Sequence, residues 1–226
     1  MSPASNPAVQ PPVRYLFEGG FQSYLATVSD IIGNNSFPFS IEQAPRERQE
    51  NLFGQDYSEA GERQQAERFW IALSRKGLHI PRLIYFAFLS EQQESAQIIA
   101  EYLCLLFGHT EATTRTRKEL QLSINRWARA VEEEKLQCEN RAVFLRKENR
   151  IPICYLKPKY NVLPLLTRHF RNQFGNLNWG VFDQGRAYGI QVREGQLSYW
   201  NNSNNILELE VWKNESNQNS GIRKAV

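Results

Sequence analysis

At 226 residues and 41% hydrophobic content, the chain is long enough for one well-packed domain, while a net charge of +3 falls far short of a dedicated nucleic-acid wrapper. Cys104, Cys138 and Cys154 are odd in number and widely spaced, which excludes a disulfide framework and a CxxC metal clamp and fits a reducing cytoplasm. The opening "MSPASNPAVQPP" has no basic start followed by an apolar stretch, and no apolar run approaches the ~20 residues of a bilayer span, so neither a secretory signal nor a membrane partner is expected.

Residues 1–12 are rich in Pro, Ser and Asn, and residues 213–226 are almost free of apolar groups. Neither stretch can bury enough surface to offset its ordering entropy, so both are expected as disordered tails. Residues 13–212 then read as a single α+β domain, helical over about 20–137 and sheet-rich over about 140–212.

"VRYLFEGG" alternates, with Val13, Tyr15 and Phe17 on one side, and breaks at paired glycines, which predicts a strand entering a turn. Phe21, Leu25, Val28 and Ile32 recur at helical spacing. Residues 33–55 read as irregular, with Leu52 and Phe53 docking the loop on the core. A helix is predicted over 58–76, with Phe69, Ile71 and Leu73 at its apolar end and Gly77 as its stop. The continuous apolar run Leu83 to Leu89 could be a buried strand. Pro81, with Ser90 and Gln93 as a capping box, favours two helices instead, over roughly 81–89 and 91–107, the second ended by Gly108.

The longest helix is predicted from Thr113 to about Gln137. Leu120, Ile124, Trp127 and Val131 form its apolar stripe, with Arg115, Lys118, Arg126 and Arg129 nearly opposite and Arg117 beside them. After it the period becomes alternating. "RAVFLRK" and "IPICYLK" flank "ENR" as a hairpin. A helix carrying Arg168 and His169 follows, and then a meander over 179–182, 187–192 and 196–200 with turns at "QG" and "EG". "ILELEVW" adds an expected edge strand. The fold class is therefore α+β, an N-terminal strand and helical bundle packed with a mainly antiparallel C-terminal sheet.

Several stretches together resemble a known family. "YLFEGGFQSYLATV", "NLFG", "IYFAFLSE" with "IIAEYLCLLF", and "NVLPLLTRHF" followed by "NWGVFDQGRA" look like the bacterial radical-SAM-associated DNA metabolism proteins, in order from about residue 14 to residue 200. The resemblance implies a role in DNA repair or modification, beside a radical-SAM protein or fused to a uracil-DNA-glycosylase-like domain. Asn161, His169, Asp183 and Arg186 match the family's residue types. Tyr160 stands where the family tends to have His, Gln173 where it has Arg, and Leu136 to Val143 lacks the usual His, Gly and Arg. The chain has neither a cysteine triad for an iron–sulfur cluster nor a recognisable glycosylase motif.

Each candidate residue has a plain structural reading beside the functional one. His169 lies at the margin of the stripe made by Leu163, Leu166, Phe170 and Phe174, where a histidine usually packs; with only His79 and His109 besides it, no metal spacing exists. Asn161 precedes the helix and is a favoured N-cap. Asp183 and Arg186 bracket a two-residue Gln-Gly turn, where an Asp bonds its own backbone, or the two form a charged pair on a loop. The stripe Arg115, Arg117, Lys118, Arg126 and Arg129 is either a solvated face or, being arginine-rich with Glu119 its only acid, a phosphate-binding one.

The leading expectation is an accessory protein of DNA repair or modification that binds nucleic acid, DNA before RNA, or a radical-SAM or glycosylase-like partner. Arg115, Arg117, Lys118, Arg126, Arg129, Arg168 and Arg186 are the contact residues. No cofactor, no metal and no stand-alone catalysis are expected. The alternative is an enzyme acting on nucleic-acid bases, with His169 as general acid or base and Asp183 orienting it. A third reading is a scaffold whose sheet edge recruits a protein.

Overall fold

The computed structural model describes residues 11–44, 55–146, 151–201 and 223–224. The expected docking of Leu52 and Phe53, the turn at 148–150, the strand over 206–212 and most of both tails lie outside these residues. The fold is α+β, and the chain divides into two compact units, Met1–Arg129 and Ala130–Val226. Each has its own sheet.

The first unit begins with strand β1 (Val13–Phe17), helix α1 (Phe21–Gly33) and strand β2 (Phe39–Gln43). β1 and β2 run parallel, with Val13 opposite Phe39 and Phe17 opposite Gln43. Parallel neighbours need a crossover, which α1 supplies. β2 lies in the stretch expected to be irregular; it buries only Phe39 and Ile41, too short an alternation to stand out. α1 buries Tyr24, Leu25, Val28 and Ile31; Leu25 and Val28 are as expected, while Phe21 and Ile32 are only half-buried.

Helix α2 (Gln55–Lys76) buries Ala66, Phe69 and Leu73. Ile71, expected at the same apolar end, is 54% exposed, because a shift of two residues turns it about 200° from Phe69. The run from Leu83 is helical to Phe88, within helix α3 (Ile80–Phe88), with Leu89 as its C-cap, and helix α4 (Ser95–Phe107) follows. No capping box forms at Ser90. Its hydroxyl instead donates to the Ala87 carbonyl at 2.6 Å, and α4 starts after Glu94 with no side-chain cap. Gly108 ends α4 at φ 99°, a left-handed backbone that favours glycine.

The longest helix, α5 (Arg117–Arg141), crosses the boundary between the units. It starts later than expected because Thr116 is its cap. Glu119 Oε2 accepts from the Thr116 amide and hydroxyl, both at 2.8 Å, while the Glu119 amide donates to Thr116 Oγ1 at 3.3 Å. That reciprocal pair is a capping box. The buried stripe is Leu120, Ile124, Ala128 and Val131.

In the second unit, strands β3 (Phe144–Arg146) and β4 (Ile153–Leu156) pair antiparallel, as the hairpin reading expected. Helix α6 (Leu163–Phe174) then carries the chain to β5 (Trp179–Asp183), which runs parallel to β4. β6 (Tyr188–Arg193) and β7 (Gln196–Asn201) complete an antiparallel meander, and the two-residue β8 (Arg223–Lys224) pairs with β3. The sheet order is β7-β6-β5-β4-β3-β8.

Aromatic contacts fix α6 on one face of this sheet: Phe170 lies 5.8 Å from Trp179 and 5.1 Å from Phe144, ring centre to ring centre. On the other face Ile153, Phe182 and Trp200 cluster. Trp200 lies flat across Gly189, where any Cβ would sit 1.4 Å from its indole nitrogen, so this position admits only glycine. Among the described residues no helix is long and apolar enough to cross a membrane.

Candidate functional site

Because β4 and β5 are parallel, the loop from β4 into α6 and the loop leaving β5 emerge at the same end of the sheet. Asp183, the last residue of β5, is fully buried. Its Oδ1 accepts from the amides of Gly185 at 2.8 Å and Arg186 at 3.1 Å, and its Oδ2 pairs with Arg186 Nη1 at 2.9 Å. The backbone bonds of the structural reading and the charged pair are both present. The carboxylate nucleates its own turn and neutralises the guanidinium that the turn delivers. The loop is longer than the two-residue turn expected: Asp183 stands opposite Tyr188, leaving Gln184 to Ala187 between the strands. Ala187 takes φ 57°.

Arg186 also ties the neighbouring loop. Nη1 donates to the Pro158 carbonyl at 3.2 Å and Nη2 to the Lys159 carbonyl at 3.1 Å. From the other side Glu134 Oε1 accepts from the Lys159 amide at 2.9 Å, and the Gln184 amide donates to Leu156 O at 2.8 Å. Residues 156–159 are thus held by four groups, three from the loop after β5 and one from α5. Lys159 Nζ lies 5.2 Å over the Tyr160 ring.

Asn161 is not the cap of α6. Val162 occupies the N-cap position and no side chain caps the helix. The Asn161 side chain is drawn away by strand β6, where its Oδ1 accepts the Tyr188 hydroxyl.

His169 and Asp183 form no hydrogen bond or ion pair with each other. The carboxylate beside His169 is Glu139 of α5, with Oε1 3.6 Å from His169 Nδ1 and 2.7 Å from Lys135 Nζ. The Glu139 side chain is 8% exposed and that of His169 40%, so a mostly buried carboxylate backs a half-open imidazole. Cys138 sits beside this group. Burial, followed by the charges of Glu134, Cys154, Asp183 and Glu139, pushes its thiol up to about 11. Burial likewise raises Cys154 to about 11. Thiols held this high are not nucleophiles near neutral pH.

The cationic candidates differ from the corner in every respect. Arg115, Arg117, Lys118, Arg126 and Arg129 are all exposed. Arg115 is shared with Glu101 at 3.7 Å and Glu94 at 4.0 Å. Arg117, Lys118 and Arg126 have no hydrogen bond or ion pair among the described residues. Arg168 on α6 is exposed. Among the described residues no group of three or more His, Cys, Asp or Glu side chains could hold a metal ion.

Sequence reasoning missed Glu139 and Tyr188. The only signal for Glu139 was its place four residues after Lys135, an ordinary helix pair; that it meets His169, thirty residues later, depends on how α5 and α6 lie together. Residues 93–220 match the model of a family described as a domain of unknown function, DUF4130. No curated protein and no solved structure matches the chain.

Proposed function

The chain belongs to the DUF4130 family, and we propose that it is an accessory protein of DNA repair or DNA modification that binds nucleic acid through the exposed face of α5. Its natural company is a radical-SAM protein or a glycosylase-like protein. The resemblance seen in the sequence supports the process and the partners. One observation carries the binding role: Arg117, Lys118 and Arg126 stand exposed on one helix with no acidic partner among the described residues. Cations kept free of internal partners are available to phosphates, and each phosphate neutralised releases its counterions. Arg115 and Arg129 extend the surface and Arg168, exposed on α6, is a separate candidate contact, whereas Arg186 is committed to Asp183 and two carbonyls.

Fluorescence anisotropy with labelled single-stranded DNA, duplex DNA and RNA tests this reading. Salt-sensitive binding is expected from the wild type. A Lys118→Glu, Arg126→Glu double variant should lose most of it and flatten the salt dependence by about two charges' worth, with an unchanged circular dichroism spectrum. Equal binding by both proteins at low and high salt would leave this face as mere solvation.

The second reading is an enzyme acting on nucleic-acid bases, and it is favoured by the contact between His169 and Glu139. A carboxylate 3.6 Å from Nδ1 faces that nitrogen and leaves Nε2 to exchange a proton with a substrate. In this reading Glu139 takes the orienting part first given to Asp183. Turnover of uracil-containing, damaged or single-stranded DNA that is abolished by both His169→Gln and Glu139→Gln, with folding intact, would establish it over the accessory role.

A further inference from the structure

We propose that the turn between α2 and α3 is a second nucleic-acid contact, a wedge in which Leu78 enters the minor groove of duplex DNA while Arg75, Lys76 and Arg82 hold the flanking phosphates. The proposal rests on the nucleic-acid reading for its ligand and concerns a different surface from the face of α5.

The turn holds its tip outward. The Ile80 amide donates to the Gly77 carbonyl at 3.0 Å, which closes a β-turn with Leu78 and His79 at its corners. His79 has φ −82° and ψ −20°, close to the second corner of an ordinary turn. Underneath, Leu73, Ile80 and Pro81 are buried, and a Cβ on Gly77 would lie 3.2 Å from Ile80 Cδ1, so the turn is seated tightly. Leu78 takes no part in this packing. It is 92% exposed, more than any other large apolar side chain among the described residues.

A lone surface leucine is ordinary, but the charge around this one is not. From Arg68 to Ser90 the sequence has Arg68, Arg75, Lys76 and Arg82 and no aspartate or glutamate. All four cations are exposed. Arg75 and Lys76 close α2, and neither has an ion pair among the described residues. Lys76 and Arg82 are held on aromatic rings, with Lys76 Nζ 4.8 Å from the centre of Phe107 and the Arg82 guanidinium carbon 5.0 Å from that of Phe86. A ring fixes a cation without neutralising it. Positioned charges on both sides of an apolar tip suit a polyanion with an apolar interior.

Duplex DNA fits this description better than an anionic membrane. Even a whole myristoyl chain anchors a protein only marginally, and the few side-chain carbons of one leucine supply far less. In a minor groove one such residue is enough, because an apolar wedge between base steps works together with Arg and Lys contacts beside it. Single strands are held by stacking on aromatic platforms, and the corners of this turn offer only Leu78 and His79.

The test mixes the full chain with a duplex carrying 2-aminopurine in a TA step, which unstacks easily. Anisotropy reads binding, and 2-aminopurine emission reads unstacking. Wild type should bind and brighten the duplex. Leu78→Ser should abolish the brightening and weaken binding about tenfold, the value of burying one leucine, with unchanged circular dichroism because the residue is exposed. Arg75→Gln with Lys76→Gln should lower the salt dependence by about two charges. The Lys118→Glu, Arg126→Glu variant separates the two surfaces: at protein concentrations that restore its binding, it should still brighten the duplex. Binding with equal brightening by wild type and Leu78→Ser, or with none from either, would overturn the wedge and leave the α5 reading standing. No duplex binding by wild type would overturn both. Flotation with phosphatidylserine-containing vesicles forms a second arm. Capture that Leu78→Ser abolishes, beside duplex binding that it leaves unchanged, would assign the turn to a membrane instead.

Discussion

The corner after β5 and the outer face of α5 use charge in opposite ways. In the corner, a carboxylate with no exposure meets an arginine whose side chain is only 18% exposed; the carboxylate accepts from that arginine and from loop amides, and the arginine donates to it and to neighbouring carbonyls. On α5, three cations stand in solvent with no partner among the described residues. A buried charge must be satisfied within the fold or it costs several kcal/mol, whereas an exposed one costs almost nothing and stays available to a ligand. The same residue type therefore has different value in the two places. Arg186 resembles a binding residue in sequence but serves as a brace; Arg126 resembles ordinary solvation and has no partner among the described residues.

The sharpest way to break this comparison is to remove the brace. Asp183→Ala strands the Arg186 guanidinium and two loop amides, and should destabilise the protein by about 3 kcal/mol. That figure lies toward the low end for a broken buried pair because Arg186 keeps the carbonyls of Pro158 and Lys159. Denaturant unfolding measures it. A midpoint close to wild type would mean that Asp183 is held in reserve for chemistry.

A smaller effect is expected on α5. The Lys118→Glu, Arg126→Glu variant should keep its stability within about 0.5 kcal/mol of wild type, as exposed substitutions without partners do. Its nucleic-acid affinity should nonetheless fall steeply. A large loss of stability would show that the cations support the fold, and the contrast with the corner would disappear.

How far these regions could be read from sequence follows from the range of their interactions. α5 and α6 were legible because a 3.6-residue stripe is written locally, and Asp183 and Arg186 were legible as neighbours because one turn joins them. β2 was not, since Phe39 and Ile41 carry its whole alternation. The partner of His169 was misassigned for a different reason. Asp183 is closer in sequence than Glu139, but its oxygens are consumed by its own turn, and the contact that forms joins residues of two different helices. Likewise Asn161 has the residue type and position of a cap, and only the folded sheet supplies the Tyr188 hydroxyl that it accepts.

The mildest prediction concerns how α5 begins, and it separates the helix from the charges it displays. The Thr116 amide and hydroxyl donate to Glu119 and hold its carboxyl below its ordinary value of 4.5, with the Arg115 charge adding to the effect. Because the folded state lowers this value, the capping contribution is complete above pH 4.5 and is lost as pH falls through the depressed value of the folded protein. Glu119→Gln should keep the cap geometry, since an amide oxygen also serves in this motif, yet remove the titration. Thermal melts of wild type and variant should therefore run at a small, constant offset above pH 5 and converge as the solution is acidified toward pH 3. An offset that stayed constant into acid would show that Glu119 contributes shape alone, and that α5 begins with the same firmness whatever the charge of its cap.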